Sequence, residues 1–226
     1  MATDAIDTRA EKIRLCSEAL TLLNASSITS FEENSRGAQM ASLHYERIYR
    51  ECLTRSRWSF TRCFRYLVPD ASYHPEAGLL PYRYRFVLPE DFVQLVGVII
   101  PNREQDPISS FYGFSVPQAL GRLDCYSSEY QMRDGFVYSN CKSILLDYQY
   151  RVAEDNLTKY PLFRTYLVYS LARDFATSVT AKDELYQLWA ENAERAYGLA
   201  SSADTNQNPM ESTNYSTTIS RMRSFG

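Results

Sequence analysis

Histidine and glycine are scarce in this chain, and the scarcity removes several kinds of chemistry at once. Its 226 residues include two histidines, His44 and His74. Neither has the neighbouring Cys, Asp or Glu spacing that a zinc site or a Ser-His-Asp arrangement needs. The eight glycines form no GxGxxG, P-loop or GxSxG, so no phosphate cradle or nucleophile elbow is encoded. The five cysteines, Cys16, Cys52, Cys63, Cys125 and Cys141, are odd in number, far apart and never CxxC. They read as reduced, mostly buried thiols in a cytosolic setting. No apolar run approaches the roughly 18 residues of a membrane helix, and the opening Met-Ala-Thr-Asp resembles no targeting segment. The net charge of −3 and pI near 5.5 argue against a dedicated nucleic-acid binder. Adjacent carboxylates such as Glu32/Glu33 and Glu90/Asp91 do not face each other on a helix, so acid–base pairing has no support. The expectation is a protein with no catalytic residues, no cofactor and no metal.

Aromatic residues are abundant instead, with 18 tyrosines and 11 phenylalanines. They serve either an aromatic core or a surface that meets other proteins, since a tyrosine ring offers apolar area and a hydroxyl that tolerates water. The clearest pattern lies in 160–203, which reads as two helices folded back on each other. Phe163, Leu167, Leu171 and Phe175, with Tyr166 and Ser170 beside them, form one stripe at the helical period, and Pro161 suits a first turn. Leu185, Leu188, Trp189, Asn192, Ala196 and Leu199 predict the buried stripe of the second helix. Thr180-Ala-Lys-Asp183 fits its start signal.

The N-terminal part predicts a matching pair. The first helix runs from about Thr8 to Leu23, opened by the capping box Thr8–Glu11, with Ile13, Cys16, Ala19, Leu20 and Leu23 inward. The second starts at Ser30-Phe-Glu-Glu33 and reaches about Thr54, with Ala38, Ala41, Tyr45, Ile48, Cys52 and Leu53 inward. A short connection favours antiparallel neighbours. From Trp58 the period changes to that of strands: 62–68, 82–86, 93–100, 129–132, 136–138 and 146–152. Tyr82-Arg-Tyr-Arg-Phe86 alternates aromatic with arginine, the mark of a half-buried antiparallel strand. Arg133-Asp-Gly135 signals a hairpin turn.

The predicted fold class is therefore α+β: an antiparallel helical bundle of two N-terminal and two C-terminal helices, with a small antiparallel sheet inserted. The divisions are 1–57 for the first helices, 58–153 for the β-rich insert, 154–203 for the helical hairpin and 204–226 for an extended polar tail. Within the insert, 101–121 carries Pro107, Gly113, Pro117 and the aromatic knot Phe111, Tyr112 and Phe114. So long a stretch either docks a partner or folds onto its own sheet. In the tail, 12 of 23 residues are Ser, Thr, Asn or Gln, too few apolar groups to order it alone. Arg47, Arg50, Arg55, Arg57, Arg62 and Arg65 cluster within nineteen residues. That cluster is a solvated face paired locally with Glu46 and Glu51, a contact for phosphates, or a set of bridges between subunits.

Three stretches, taken in order, resemble the tail tubular protein A family, the head-to-tail adaptors of short-tailed bacteriophages. The first is a helix ending in Leu-Leu-Asn24, then Ile28-Thr-Ser-Phe-Glu-Glu33 and a Tyr45-bearing helix that runs out into Arg57-Trp-Ser-Phe60. In that family a tryptophan and a phenylalanine two apart close the second helix this way. The second is the aromatic strand leading into Phe86-Val-Leu-Pro-Glu-Asp91, similar to the family's Tyr/Phe-x-Leu-Pro-x-Asp segment. The third is Tyr150-Arg-Val, a polar link, then Leu162-Phe163 opening a helix with Leu171-Ala172 and Phe175-Ala176. Arg57 stands where a proline is common.

The resemblance implies a non-enzymatic virion subunit at the neck between capsid and tail, made in the host cytoplasm. It would form a homo-oligomeric, dodecameric ring below the portal and seat the tail nozzle or tail tube. DNA would pass through its lumen without specific binding, and no membrane is involved. On this reading Trp58, Phe60 and Pro89 mark the structural junction, and Phe111, Tyr112 and Phe114 form a docking loop. Tyr215, Ile219, Arg221, Arg223 and Phe225 would climb against the portal, the arginines on acidic groups and Phe225 in an apolar pocket. The rival expectations are a nucleic-acid-binding accessory protein using the Arg47–Arg65 cluster and a tail-associated hydrolase.

Overall fold

The computed structural model describes residues 2–75, 82–99, 130–180 and 183–207. Within them the chain is mixed helix and sheet, and it divides into two compact units, Met1–Tyr49 with Glu154–Gly226, and Arg50–Ala153. The first boundary falls inside a helix.

In the helical unit, α1 (Ala2–Leu22) begins six residues before Thr8. Thr8 therefore sits inside the helix and not at its start; the alanines at 2, 5 and 10 favour continuing it. Asn24, at φ 54°, ends it in the left-handed conformation. Its N–H bonds Thr21 O and that of Ala25 bonds Leu20 O, both at 3.0 Å, which satisfies two orphan carbonyls. Ser17 holds the following turn, donating to Ile28 O at 2.6 Å and accepting from Ile28 N at 3.2 Å.

Helix α2 (Arg36–Thr54) starts later than the Ser30–Glu33 signal predicts. Glu33 does reach back to the Ser30 N–H, at 3.0 Å, but it also takes the Thr29 N–H at 2.6 Å. The segment closes as a turn, and Ser35 caps α2 by accepting from Ala38 N at 3.1 Å. The predicted stripe Ala38, Ala41, Tyr45, Ile48, Cys52 and Leu53 is buried, as is Tyr49. Gly37 permits the close approach of α1: a Cβ there would lie 3.0 Å from Leu20 Cδ1.

Helix α3 (Pro161–Thr180) follows a 3-10 turn, Glu154–Lys159, and packs on both α1 and α4 (Asp183–Gln207). Buried residues lie almost all round it, from Phe163 to Ala176, as expected of a helix with neighbours on more than one side. Thr180 closes α3, and α4 opens with Asp183 and Glu184 in its first turn, favourable against the positive end of the helix dipole. The helix reaches Gln207, past the expected end at Ala203, so Asp204 starts no extended tail. Thr205 Oγ1 bonds Ser201 O at 2.9 Å inside that extra turn.

The β unit holds two three-stranded antiparallel sheets, where one small sheet was predicted. The strands are β1 (Arg62–Leu67), β2 (Tyr84–Val87), β3 (Phe92–Ile99), β4 (Tyr130–Arg133), β5 (Phe136–Ser139) and β6 (Ile144–Tyr150). Their orders are β1-β6-β3 and β2-β5-β4. The split is dictated by the short β4–β5 hairpin, which brings its own partner β2 rather than joining β6. Its turn has Asp134 at φ 52° and Gly135 at φ 78°, as the Asp-Gly pair requires. Leu67, Val98, Ile144, Leu146 and Tyr148 from one sheet meet Phe86 and Val137 from the other in a shared core.

Candidate functional site

Two of the stretches that carry the resemblance meet inside the β unit. Pro89 O accepts from Phe92 N at 3.1 Å, closing the turn that the Leu-Pro-Glu-Asp segment makes. Asp91 then ties this turn to β6 and its end. Its carbonyl accepts from Arg151 N at 2.7 Å, and its Oδ1 accepts from Tyr148 OH at 3.1 Å. Burial, then this bond to Asp91, raises the Tyr148 phenol well above its ordinary range. Pro89 is thus half-buried at a turn.

Trp58 is 1% exposed because the chain leaves α2 through a 3-10 turn, Ser59–Thr61, that folds the indole back. Trp58 Nε1 donates to Cys52 O at 3.0 Å, and Phe60, half-buried, lies 6.0 Å from its ring. Below them Gln149 Nε2 donates to Ser56 O and Thr61 Oγ1, both at 2.9 Å. Arg62 grips the buried Asp147 with two bonds, Nε to Oδ1 at 3.0 Å and Nη2 to Oδ2 at 2.7 Å. These are framework contacts: they fix strands, and none presents a reactive group to solvent.

Three arginines of the cluster have partners elsewhere in the chain. Arg47 pairs with Asp174 of α3 at 2.5 Å, Arg62 with Asp147, and Arg65 lies 3.8 Å from Asp91. Glu46, proposed as a local partner, is 3.9 Å from Lys12. Arg50, Arg55 and Arg57 are exposed. His44 lies 3.9 Å from Asp174, and His74 is exposed. Among the described residues no three His, Cys, Asp or Glu side chains are grouped as a metal site would require. Nor, among the described residues, is any helix long and apolar enough to cross a membrane.

No family model and no curated protein matches this chain.

The docking residues Phe111, Tyr112 and Phe114, and Tyr215, Ile219, Arg221, Arg223 and Phe225, lie outside the described residues. The surface that the sequence reading missed is on α4. Of the predicted stripe, Leu188 is 49% and Leu199 64% exposed. The face against α3 is made by Ala193, Ala196 and Ala200, with Trp189 on Tyr169 and Tyr197 on Tyr166 at 5.3 and 5.5 Å. Small residues let the helices approach closely, and the two leucines fall roughly 100° round the helix. The alanine spacing 193/196/200 was the available signal. An open groove of about 480 Å³ runs between α1 and α3, lined by Ser17, Leu22, Val168 and Tyr169 and rimmed by the pair Arg164–Glu18.

Proposed function

We propose that this chain is a structural head-to-tail connector subunit of a bacteriophage, many copies forming a ring between portal and tail nozzle and continuing the DNA channel. In this reading α1, α2, α3 and α4 form the antiparallel bundle that neighbours pack against, and the subunit does no catalysis. One observation carries it: the Leu-Pro-Glu-Asp turn and the Tyr150-Arg-Val segment, two of the three family-like stretches, are joined through the Asp91–Arg151 hydrogen bond. Stretches some sixty residues apart that resemble a family's segments also serve one junction here.

Microscopy of the infectious particle is the direct test. Density for this chain at the junction of capsid and tail is expected; a neck built without it overturns the proposal. The tail is tested separately. Because α4 runs to Gln207, truncation should follow that residue, leaving the helix intact. The truncated chain is expected to lose binding to portal rings, and undiminished binding removes the tail from the docking surface. A second reading, a nucleic-acid-binding accessory protein, draws on exposed Arg50, Arg55 and Arg57. It is weakened by the ion pairs that engage Arg47, Arg62 and Arg65.

A further inference from the structure

Each sheet of the β unit has two outer strands, and three of these four are blunted by devices that sheets use against stray pairing. On β2 the outer side is taken by the Asp70 N–H, which bonds Arg85 O at 2.8 Å. β3 departs from register twice, between Phe92 and Gln94 and between Leu95 and Gly97. β1 has Arg62 and Arg65 spaced along it. β4 is different. Tyr130–Arg133 pairs with β5 in unbroken register and contains neither proline nor lysine. Its one charge, Arg133, sits beside the turn, where Nε bonds Asp134 Oδ2 at 3.1 Å.

The hairpin turn decides which groups this edge offers. A two-residue loop leaves its flanking residues, Arg133 and Phe136, as a hydrogen-bonded pair. Alternation then points the N–H and C=O of Gln131 toward β5 as well, and those of Tyr130 and Met132 outward. Among the described residues no strand meets them, because β4 ends its sheet. The side chains of the same two residues lie on the core face. Met132 stands opposite buried Val137, which stands opposite buried Phe86, and Tyr130 would lie beside them. Met132 is nevertheless 47% exposed. The apolar core runs out to an open edge and stops there.

We infer that β4 pairs antiparallel with β4 of a second copy of this chain, Gln131 opposite Gln131 and Tyr130 opposite Met132 in both directions. The sheet β2-β5-β4 then continues without a break into its copy. This register sets outward-facing residues against outward-facing residues, so each Tyr130–Met132 pair exchanges both of its N–H···O bonds. It also lays each Tyr130 ring beside the thioether of the second copy's Met132, a favourable contact that carries the core across the junction. No like charges meet at the centre, since Gln131 is neutral. The contact is isologous and closes on two copies. It therefore lies outside any ring and does not rest on the connector reading.

Cross-linking of the full-length chain tests the register directly. Gln131 is exposed, and in a non-hydrogen-bonded pair it would face its own copy at a Cα separation of about 4.5 Å, within the span of a disulfide. Gln131→Cys should therefore give a 131–131 disulfide under mild oxidation, identified among the native cysteines by mass spectrometry of the linked peptides. Arg133→Cys should give none, because its two copies would stand roughly 14 Å apart. Adding Met132→Pro to Gln131→Cys removes an outward N–H, which an edge strand tolerates, and should cut the cross-link about tenfold or more. Met132→Lys, an inward charge at the edge, should do the same if the proline variant fails to fold; circular dichroism checks both. Sedimentation velocity across a dilution series should show wild-type self-association, lost in either Met132 variant and little changed by salt. The inference is overturned if the chain stays monomeric at every concentration, as it would were the edge a site for some unrelated strand. It is overturned too if no 131–131 link forms, if Arg133→Cys links equally well, or if association survives the Met132 variants. Neck density in the particle bears on the connector reading and leaves these outcomes untouched.

Discussion

At the residue scale, one side chain closes the step from helix to strand. Trp58 is among the largest fully buried side chains of the protein, with its only polar atom bonded to Cys52 O. Trp58→Ala is expected to cost about 3–5 kcal/mol, as cavity-forming aromatic deletions do; chemical denaturation measures it, and a midpoint like wild type would place the ring in solvent. Asp70 offers a different kind of test. Hydrogen bonds from Ser72 Oγ and N, and then the Arg85 guanidinium, hold its carboxyl down at about 2. Arg85 in turn lies 4.4 Å from the Phe136 ring centre and 5.1 Å from that of Tyr73. A carboxyl lowered on folding stabilises at pH values above its unfolded value, near 3.8, and that contribution fades as pH falls toward 2. Asp70→Asn should therefore flatten the acid limb of stability between those values and leave its shape near neutrality unchanged. A steeper acid limb in the variant would refute the assignment. Cys16, by contrast, is packed between helices, and burial pushes its thiol up to about 12. Its full burial agrees with its place on the inward stripe of the first helix.

Elements were legible where a single period ran unbroken. The stripe named on α2 is buried, and so are the residues named on α3, but α3 has neighbours on two sides and also buries Val168, Ala172 and Ala176, which one stripe does not include. The ends were harder. Ser30–Glu33 makes half of the hydrogen-bond set a helix start would use, yet Glu33 spends its second oxygen contact on Thr29, and the helix waits for Ser35. On α4 two leucines misled: hydrophobicity pointed to Leu188 and Leu199, which are exposed, while Trp189 and Ala196 of the same stripe do pack, joined by Ala193 and Ala200. The division into two sheets was equally hidden, since pairing partners such as Arg62 and Gln149 are far apart in sequence and alternation alone does not name a partner. The Asp-Gly hairpin was plain because backbone sterics are local. Gly135 has φ 78° with nothing within 4 Å of an added Cβ, so Gly135→Ala suffers only conformational strain, roughly 1–2 kcal/mol. Thermal unfolding is expected to show that modest loss with the fold retained, and a larger loss would mean an unseen contact at the turn.

At the scale of the whole molecule, totals concealed what placement made visible. A net charge of −3 coexists with five arginines and one glutamate in residues 50–65 and with five acids and one base on α4. The candidate surface was absent from any motif because it is made of ordinary residues whose meaning lies in exposure. β6 shows how far the fold depends on completion. It is the middle strand of β1-β6-β3 and is buried along nearly its whole length, with its bond partner Arg62 lying 85 residues earlier than Asp147. During synthesis β1 and β3 emerge first and must wait, unpaired with each other, until the ribosome has released residue 150. The helical unit waits as well, since its two halves flank that span. Neither unit therefore has all the chain it needs until Ala153 has been made, and a nascent chain interrupted earlier would leave open strand edges for chaperones to shield.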